Sequence, residues 1–279
     1  MLPTAVDMQP LTDPQFEDIS TLVKSICGIN LHDGKKELVK ARLAKRIRLL
    51  GLRDFDEYIS YVRADASSAE LTAMLDHLST NLTFFFREMA HFDHLRSVVI
   101  PELLHRKRDT AQIRIWSSGC STGEEPYSLA ILLTDTFPEL RCWDVKILAT
   151  DLSTRVLARA REGQYETARV AQMPQSLLTK YFTAEGRGVG RAHRVNDSIR
   201  SMVTFARLNL MEGWPMKGPF DVIFCRNVMI YFDKPTQGHL VDRYHDILAP
   251  GGVLMVGHSE SLTGINHKFR YVCPAVYQK

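Results

Sequence analysis

Between Trp116 and Ser128, small residues at Ser117, Ser118, Gly119, Ser121, Thr122 and Gly123 run directly into two carboxylates, Glu124 and Glu125. Small residues let backbone approach a ligand. Thr122 and Glu125 have capping-box spacing, which would define a helix start with N–H groups facing a crevice. Crevices at the carboxyl ends of parallel strands are where doubly wound folds bind ligands. The turn is not GxGxxG, and the two glutamates would repel a pyrophosphate. A cationic sulfonium such as S-adenosylmethionine suits that field, which disfavours NAD. The competing role, for one of the two, is simply to complement the helix dipole. A glycine-bearing turn by itself is often a mere connector. Asp151 adds to it, ending the next strand-like run where an acidic residue accepts hydrogen bonds from ribose hydroxyls. Its competing role is N-cap of a helix starting at Thr154.

These residues need a scaffold, and hydrophobic periodicity predicts one. From Thr12 to Met89 only helical patterns occur: one stopping near Gly28, one over Lys35 to Leu50 stopped by Gly51, one over Asp54 to Arg63 and one over Ser67 to Leu78. In the second, Leu38, Val39, Leu43, Ile47 and Leu50 form the apolar side. From Arg114 the rhythm becomes strand then helix: Arg114 to Ser118, Glu124 to Phe137, Val145 to Thr150, Thr154 to Glu162. That alternation implies a parallel sheet with right-handed crossovers. It breaks between Tyr165 and Arg207, where a short helix at Pro174 to Tyr181, a turn at Gly186 to Gly190 and strand-like runs at His193 to Val195 and Met202 to Ala206 suggest an antiparallel insertion. It resumes with Asp221 to Cys225, a helix over Lys234 to Leu248 and a strand at Val253 to Gly257. Phe269 to Tyr277 closes the chain as a strand able to return antiparallel.

At 279 residues the chain suits two unequal domains, divided as 1–88, helices and linker, and 89–279, with 165–207 inserted. A hydrophobic fraction of 45% and a charged fraction of 24% are those of a globular chain. Five scattered cysteines without CxxC spacing argue against a disulfide framework or structural zinc. Met1 to Pro10 lacks the features of a signal peptide, and no apolar run approaches the ~20 residues needed to cross a bilayer. The expectation is a cytoplasmic protein with free thiols, no metal and no membrane insertion. A net charge of +3 is too small for general nucleic-acid affinity. Basic residues crowd locally, however, at Lys35, Lys36, Lys40, Arg42, Lys45, Arg46, Arg48 and Arg53.

Four stretches, Asn81 to Glu88, Ser121 to Ser128, Asn209-Leu210 and Phe224 to Phe232, closely resemble the CheR chemotaxis receptor methyltransferases, in the family's order. His258-Ser259-Glu260 is similar to the family's late strand ending, and the resemblance covers almost the whole chain. It implies an α/β fold: a Rossmann-like S-adenosylmethionine-dependent methyltransferase sheet, a small all-helical N-terminal domain and an inserted antiparallel β subdomain. It further implies that Asn81, Thr83 and Arg87 approach the methionine part of the cofactor. Glu125 and Asp151 would hold its amino and ribose ends, Asn209 and Leu210 border the adenine, and Arg226 and Asn227 line the floor. Tyr231 would face the substrate. One departure is Ser118-Gly119, which replaces an alanine pair associated with this turn. Both choices are small, and little effect is expected.

The substrate implied is a receptor glutamate, ionised at neutral pH with a reference pKa of about 4.3, so no general base is required. Arg87 and Tyr231 are the expected catalytic residues, orienting that carboxylate. Their competing roles are an interdomain salt bridge and a packed aromatic. The basic run, represented by Lys45, Arg46 and Arg48, would dock the acidic receptor helix, unless it is only a solvated face. The Gly186 to Gly190 region could tether a receptor's C-terminal peptide, or be an ordinary hairpin. Three rivals stand: a methyltransferase with another substrate, a non-catalytic S-adenosylmethionine-binding signalling module, and an NAD oxidoreductase. Arg226-Asn227-Val228-Met229 lacks the prolines that shape a pocket for a flipped base, which counts against nucleic acid as substrate.

Overall fold

Glycines set the first helix ends. Gly28 and Gly51 adopt left-handed φ of 75° and 71° and close the helices Asp13–Cys27 and Lys36–Leu50. The first begins with a reciprocal capping box between Thr12 and Gln15 and buries Phe16, Ile19, Val23 and Cys27. The second buries Val39, Leu43, Ala44 and Ile47, whereas Leu38, expected on the apolar side, is 40% exposed. Phe55–Ala64, capped by Asp54, and Ala69–Leu78 complete the helical set. The computed structural model describes residues 10–186 and 191–279. By its contacts the chain forms two units: Met1–Thr80 with Tyr231–Asp233, and Asn81–Ile230 with Lys234–Lys279.

The larger unit is a seven-stranded sheet. Its strands are β1 (Gln112–Ser117), β2 (Asp144–Asp151), β6 (Val203–Arg207), β7 (Phe220–Cys225), β8 (Leu248–Val256), β9 (Arg270–Cys273) and β10 (Val276–Gln278), ordered β6-β2-β1-β7-β8-β10-β9. The strands from β6 to β8 are parallel, and β10 returns antiparallel beside β8. The final strand expected from Phe269 to Tyr277 is in fact a pair, β9 and β10, because Cys273 to Val276 turns the chain back on itself. All six residues of β7 are buried, as befits a strand covered on both faces. The parallel strands place Ser117, Asp151 and Cys225 at or beside their carboxyl ends, so the turns that follow them share one edge of the sheet. Residues 89–106, unassigned from sequence, are helical throughout: Met89–His94, a π-turn at Leu95–Val99 and Ile100–Arg106.

The insertion is smaller than expected. It contains β3 (Gln164–Glu166), β4 (Phe182–Glu185) and β5 (Ala192–Val195), antiparallel in the order β3-β5-β4. The run Met202 to Ala206, assigned from sequence to this insertion, instead supplies β6, parallel to β2 at the edge of the main sheet. Alternation in so short a run does not say which sheet it joins. Gly186 has φ 78°; the remainder of the Gly186 to Gly190 turn, residues 187–190, lies outside the described residues.

Candidate functional site

The turn after β1 places the two glutamates in different surroundings. The helix Glu124–Thr136 is preceded by Gly123 at φ 96° and has no side-chain N-cap bond, so the capping box expected from Thr122 and Glu125 does not form. The Thr122 hydroxyl donates instead to Glu124, at 2.7 Å. The Glu124 side chain is fully buried and paired with Arg169 of the insertion. Glu125 points toward the strand ends. It accepts from the Ser117 hydroxyl at 2.7 Å and from the Arg226 guanidinium at 2.9 Å. Burial pushes its carboxyl above the usual range, opposed by Arg226 and Ser117.

Asp151, the last residue of β2, accepts backbone N–H bonds from Ser121 at 2.8 Å and Ser153 at 2.9 Å. The N-cap of Thr154–Glu162 is Ser153, whose hydroxyl accepts from Val156 N–H, so the competing role for Asp151 belongs to its neighbour. Leu208 N–H donates to the Asp151 carbonyl at 3.0 Å, which brings the Asn209-Leu210 turn beside it. Asn209 builds that turn, accepting from Met211 N–H and donating to Glu212. Both Asn209 and Leu210 are buried.

Arg226 follows β7 and is 5% exposed. Its guanidinium bridges Glu125 and Glu88, the latter at 3.1 Å, and donates to the Arg87 carbonyl. Asn227 adopts φ 58°, sends its amide to Glu88 at 3.5 Å and donates its N–H to Glu260 at 2.7 Å. Glu260, from the late His258-Ser259-Glu260 motif, also accepts from Gly257 and Ile230 N–H groups at 2.6 and 3.1 Å. It thereby ties the turn after β7 to the turn after β8. The sequence marked that motif without giving Glu260 a role, and its three N–H bonds have no sequence signature.

The segment carrying Asn81, Thr83 and Arg87 is hung on this edge. Ser121 donates to the Asn81 carbonyl at 2.9 Å, and Phe86 N–H donates to Ser128 at 2.9 Å. Thr83 is buried. Phe86 and Glu88 both have left-handed φ, 56° and 57°, each costing roughly 1–3 kcal/mol of a kind that concentrates at functional sites. Between them Arg87 donates to the Leu82 carbonyl at 2.8 Å and lies over the Phe84 ring. Glu88 was missing from the sequence-predicted set. Burial disfavours its charge, but Arg226 and His258 N–H hold its carboxyl below the ordinary value.

Tyr231 groups with the helical unit. There its carbonyl accepts from Asn30 N–H at 2.7 Å, and its ring lies under the Lys35 ammonium, 5.0 Å from the centroid. The basic helix is divided in purpose. Arg46 makes a two-pronged bond to buried Glu70 at 2.9 and 2.6 Å, and Arg42 donates to the Leu78 and Ser79 carbonyls ending the fourth helix. Lys45 and Arg48 are exposed.

Glu88, His91 and His258 offer three donor atoms within 4.8 Å of one another. Burial and then Arg226 push the His91 pKa down to about 4. Glu88 is committed to Arg226 and to His258 N–H, and a guanidinium beside it opposes a second cation, so this cluster reads as part of the ion-pair network. The small-residue turn with Glu125 fits a cationic amino-acid ligand: each carboxylate oxygen has one hydrogen bond and a lone pair left to accept an ammonium.

Two family models cover the chain. "CheR methyltransferase, SAM binding domain" matches residues 81–277, and "CheR methyltransferase, all-alpha domain" matches residues 14–79. A Rhizobium etli protein named "Probable chemotaxis protein methyltransferase" is 45% identical over 246 residues, 87% of this chain and 91% of its own. Relatives named "Chemotaxis protein methyltransferase" from Borreliella burgdorferi and Escherichia coli are each 40% identical. They cover 94% and 96% of this chain and 94% and 91% of their own. Among the described residues no helix is long and apolar enough to cross a membrane.

Proposed function

The chain belongs to the CheR methyltransferase family, with S-adenosylmethionine as cofactor, and from that premise we propose that it methylates glutamate side chains of chemotaxis receptors in the cytoplasm. The products would be glutamate methyl esters serving sensory adaptation, and S-adenosylhomocysteine. The observation that carries this reading is the Glu125–Arg226 pair across the ends of β1 and β7, with Asp151 ending β2, inside the stretch matched by the S-adenosylmethionine-binding model.

When bound, the cofactor supplies a methyl group on a sulfonium. Glu125 takes the amino end, and Asp151, held by two backbone N–H groups, takes the ribose. Asn81 and Thr83 border the methionine part, Asn209 and Leu210 the adenine, and Arg226 and Asn227 form the floor. Arg87 presents its fork of donors to the receptor carboxylate, and Tyr231 offers its hydroxyl. A carboxylate with a pKa of about 4.3 needs no base at neutral pH, so the residues serve mainly to position it. Lys45 and Arg48, exposed on the basic helix, would meet the acidic face of the receptor's methylation helix. An extended tether peptide would add to an outer strand of the insertion, β3 or β4.

The test is calorimetry with S-adenosylhomocysteine for wild type and Asp151→Ala, together with methyl transfer to receptor-bearing membranes. Binding lost in the variant and base-labile methyl incorporation are expected. Binding without transfer would leave a signalling module, and absence of binding would refute the cofactor assignment.

A further inference from the structure

The chain between β6 and β7, residues 208–219, forms neither helix nor strand, so the Asn209-Leu210 turn depends on what grips it from outside. That grip comes from Arg243 on the helix Lys234–Ile247. Its guanidinium donates to the Leu210 carbonyl and, at 2.6 Å, to the Glu212 carbonyl, so one planar fork spans the turn. The Leu210 carbonyl also accepts from the Trp214 indole N–H at 3.2 Å, which occupies both of its lone pairs. The same guanidinium lies 3.9 Å from the centre of the Trp214 ring. Trp214 stands edge-on to buried Trp116 of β1, ring centres 4.8 Å apart, and Trp116 donates its indole N–H to the Thr150 hydroxyl at 2.9 Å. Thr150 immediately precedes Asp151. The turn and Asp151 are therefore registered to each other through β1 as well as through the Leu208 N–H.

We propose that Arg243 is a positioning residue for cofactor binding: through Leu210, Glu212 and Trp214 it holds the adenine wall at a fixed spacing from Asp151, the ribose carboxylate. The role rests on the reading of Asn209 and Leu210 as the adenine border. A guanidinium suits it better than an ammonium, because one rigid group must meet two carbonyls and a ring face at once. A wall fixed before the ligand arrives spares the ordering that binding would otherwise demand, and affinity for the adenosine half of the cofactor rises accordingly. The reacting methyl belongs to the other end of the cofactor, so the transfer step itself is indifferent to Arg243.

The experiment is calorimetry on the full chain with S-adenosylhomocysteine and, by competition, with 5′-methylthioadenosine, which keeps the adenosine but lacks the amino-acid end. Arg243→Met removes the fork and should weaken both ligands by the same factor, about tenfold. Arg243→Lys, able to reach one carbonyl at a time, should fall between wild type and Arg243→Met, and it carries the test if Arg243→Met does not fold. In methyl transfer, KM for the cofactor should rise with kcat at saturating cofactor kept within about twofold. Leu210→Ala tests the underlying reading and should weaken both ligands. If the Arg243 variants lower only Tm and leave both affinities within about twofold of wild type, while Leu210→Ala weakens them, Arg243 is merely structural and the proposal is overturned. A loss of kcat as large as the loss of affinity would overturn it equally. If Leu210→Ala changes neither affinity, the adenine-border assignment itself fails.

Discussion

Replacing Arg226 with methionine removes the cation shared by Glu125 and Glu88. Its side chain is 1% exposed, and the two carboxylates are 11% and 15% exposed. Breaking a buried pair by deleting one partner costs about 3–5 kcal/mol, because the remaining charge is left uncompensated. At about 2–4 °C per kcal/mol for a unit of this size, Tm near neutral pH should fall by roughly 6–20 °C. The sign of the pH dependence is fixed by the same pair. In the wild type the Glu88 carboxyl lies below its ordinary value, so its stabilisation is present at neutral pH and is lost as pH falls through the folded pKa. In Arg226→Met burial dominates both carboxyls and raises them, so the variant gains stability relative to wild type on acidification. The Tm gap, followed by circular dichroism without cofactor, should therefore be widest near pH 7.5 and clearly narrower near about pH 5. A gap below about 2 °C, or one equal at both pH values, would refute this account of the pair.

The basic helix yields a separation of effects. Lys45→Glu with Arg48→Glu should leave Tm unchanged and lower receptor methylation several-fold at low salt, whereas Arg46→Ala should lower Tm through loss of the Glu70 bond; equal behaviour of the two would remove the docking role. At the turn, a Cβ on Gly119 would collide with a Val228 methyl carbon. Gly119→Ala should thus destabilise by about 1–3 kcal/mol, and adding Val228→Ala should recover part of it in denaturant titrations, while strict additivity would sink the idea. Arg87→Ala and Tyr231→Phe should each lower turnover at saturating cofactor by about tenfold or more, and full turnover in both would end their catalytic assignment.

The helices of the first unit and the parallel strands were legible because their signals are local: the Thr12-Asp13-Pro14 helix start, stop glycines at positions 28 and 51, and apolar runs at β2 and β7. What escaped depends on distant partners. The run forming β6 has the same alternation whether it pairs with β2 or with β5, so sequence could not choose its sheet. The capping box at Thr122 failed because Arg169, in the insertion, recruits Glu124 and with it the Thr122 hydroxyl. Gly119 looked interchangeable with alanine because both are small, but the limit is set by Val228, over a hundred positions away in the sequence. Glu88 and Glu260 were visible as motif letters, yet their work lies in N–H and guanidinium groups arriving from other turns.

The neighbouring glutamates of the first turn also constrain how this architecture can be recombined. Glu124 is fully buried against Arg169, and Tyr165 donates to the Thr122 carbonyl at 2.7 Å, so the insertion is riveted to the start of the helix Glu124–Thr136. A chimera that exchanged the insertion as a cassette would orphan a buried carboxylate unless the graft brought its own arginine and tyrosine at those positions. The insertion's sequence can therefore drift freely only away from this strip, while the residues facing Thr122 and Glu124 must be inherited with the helix they grip.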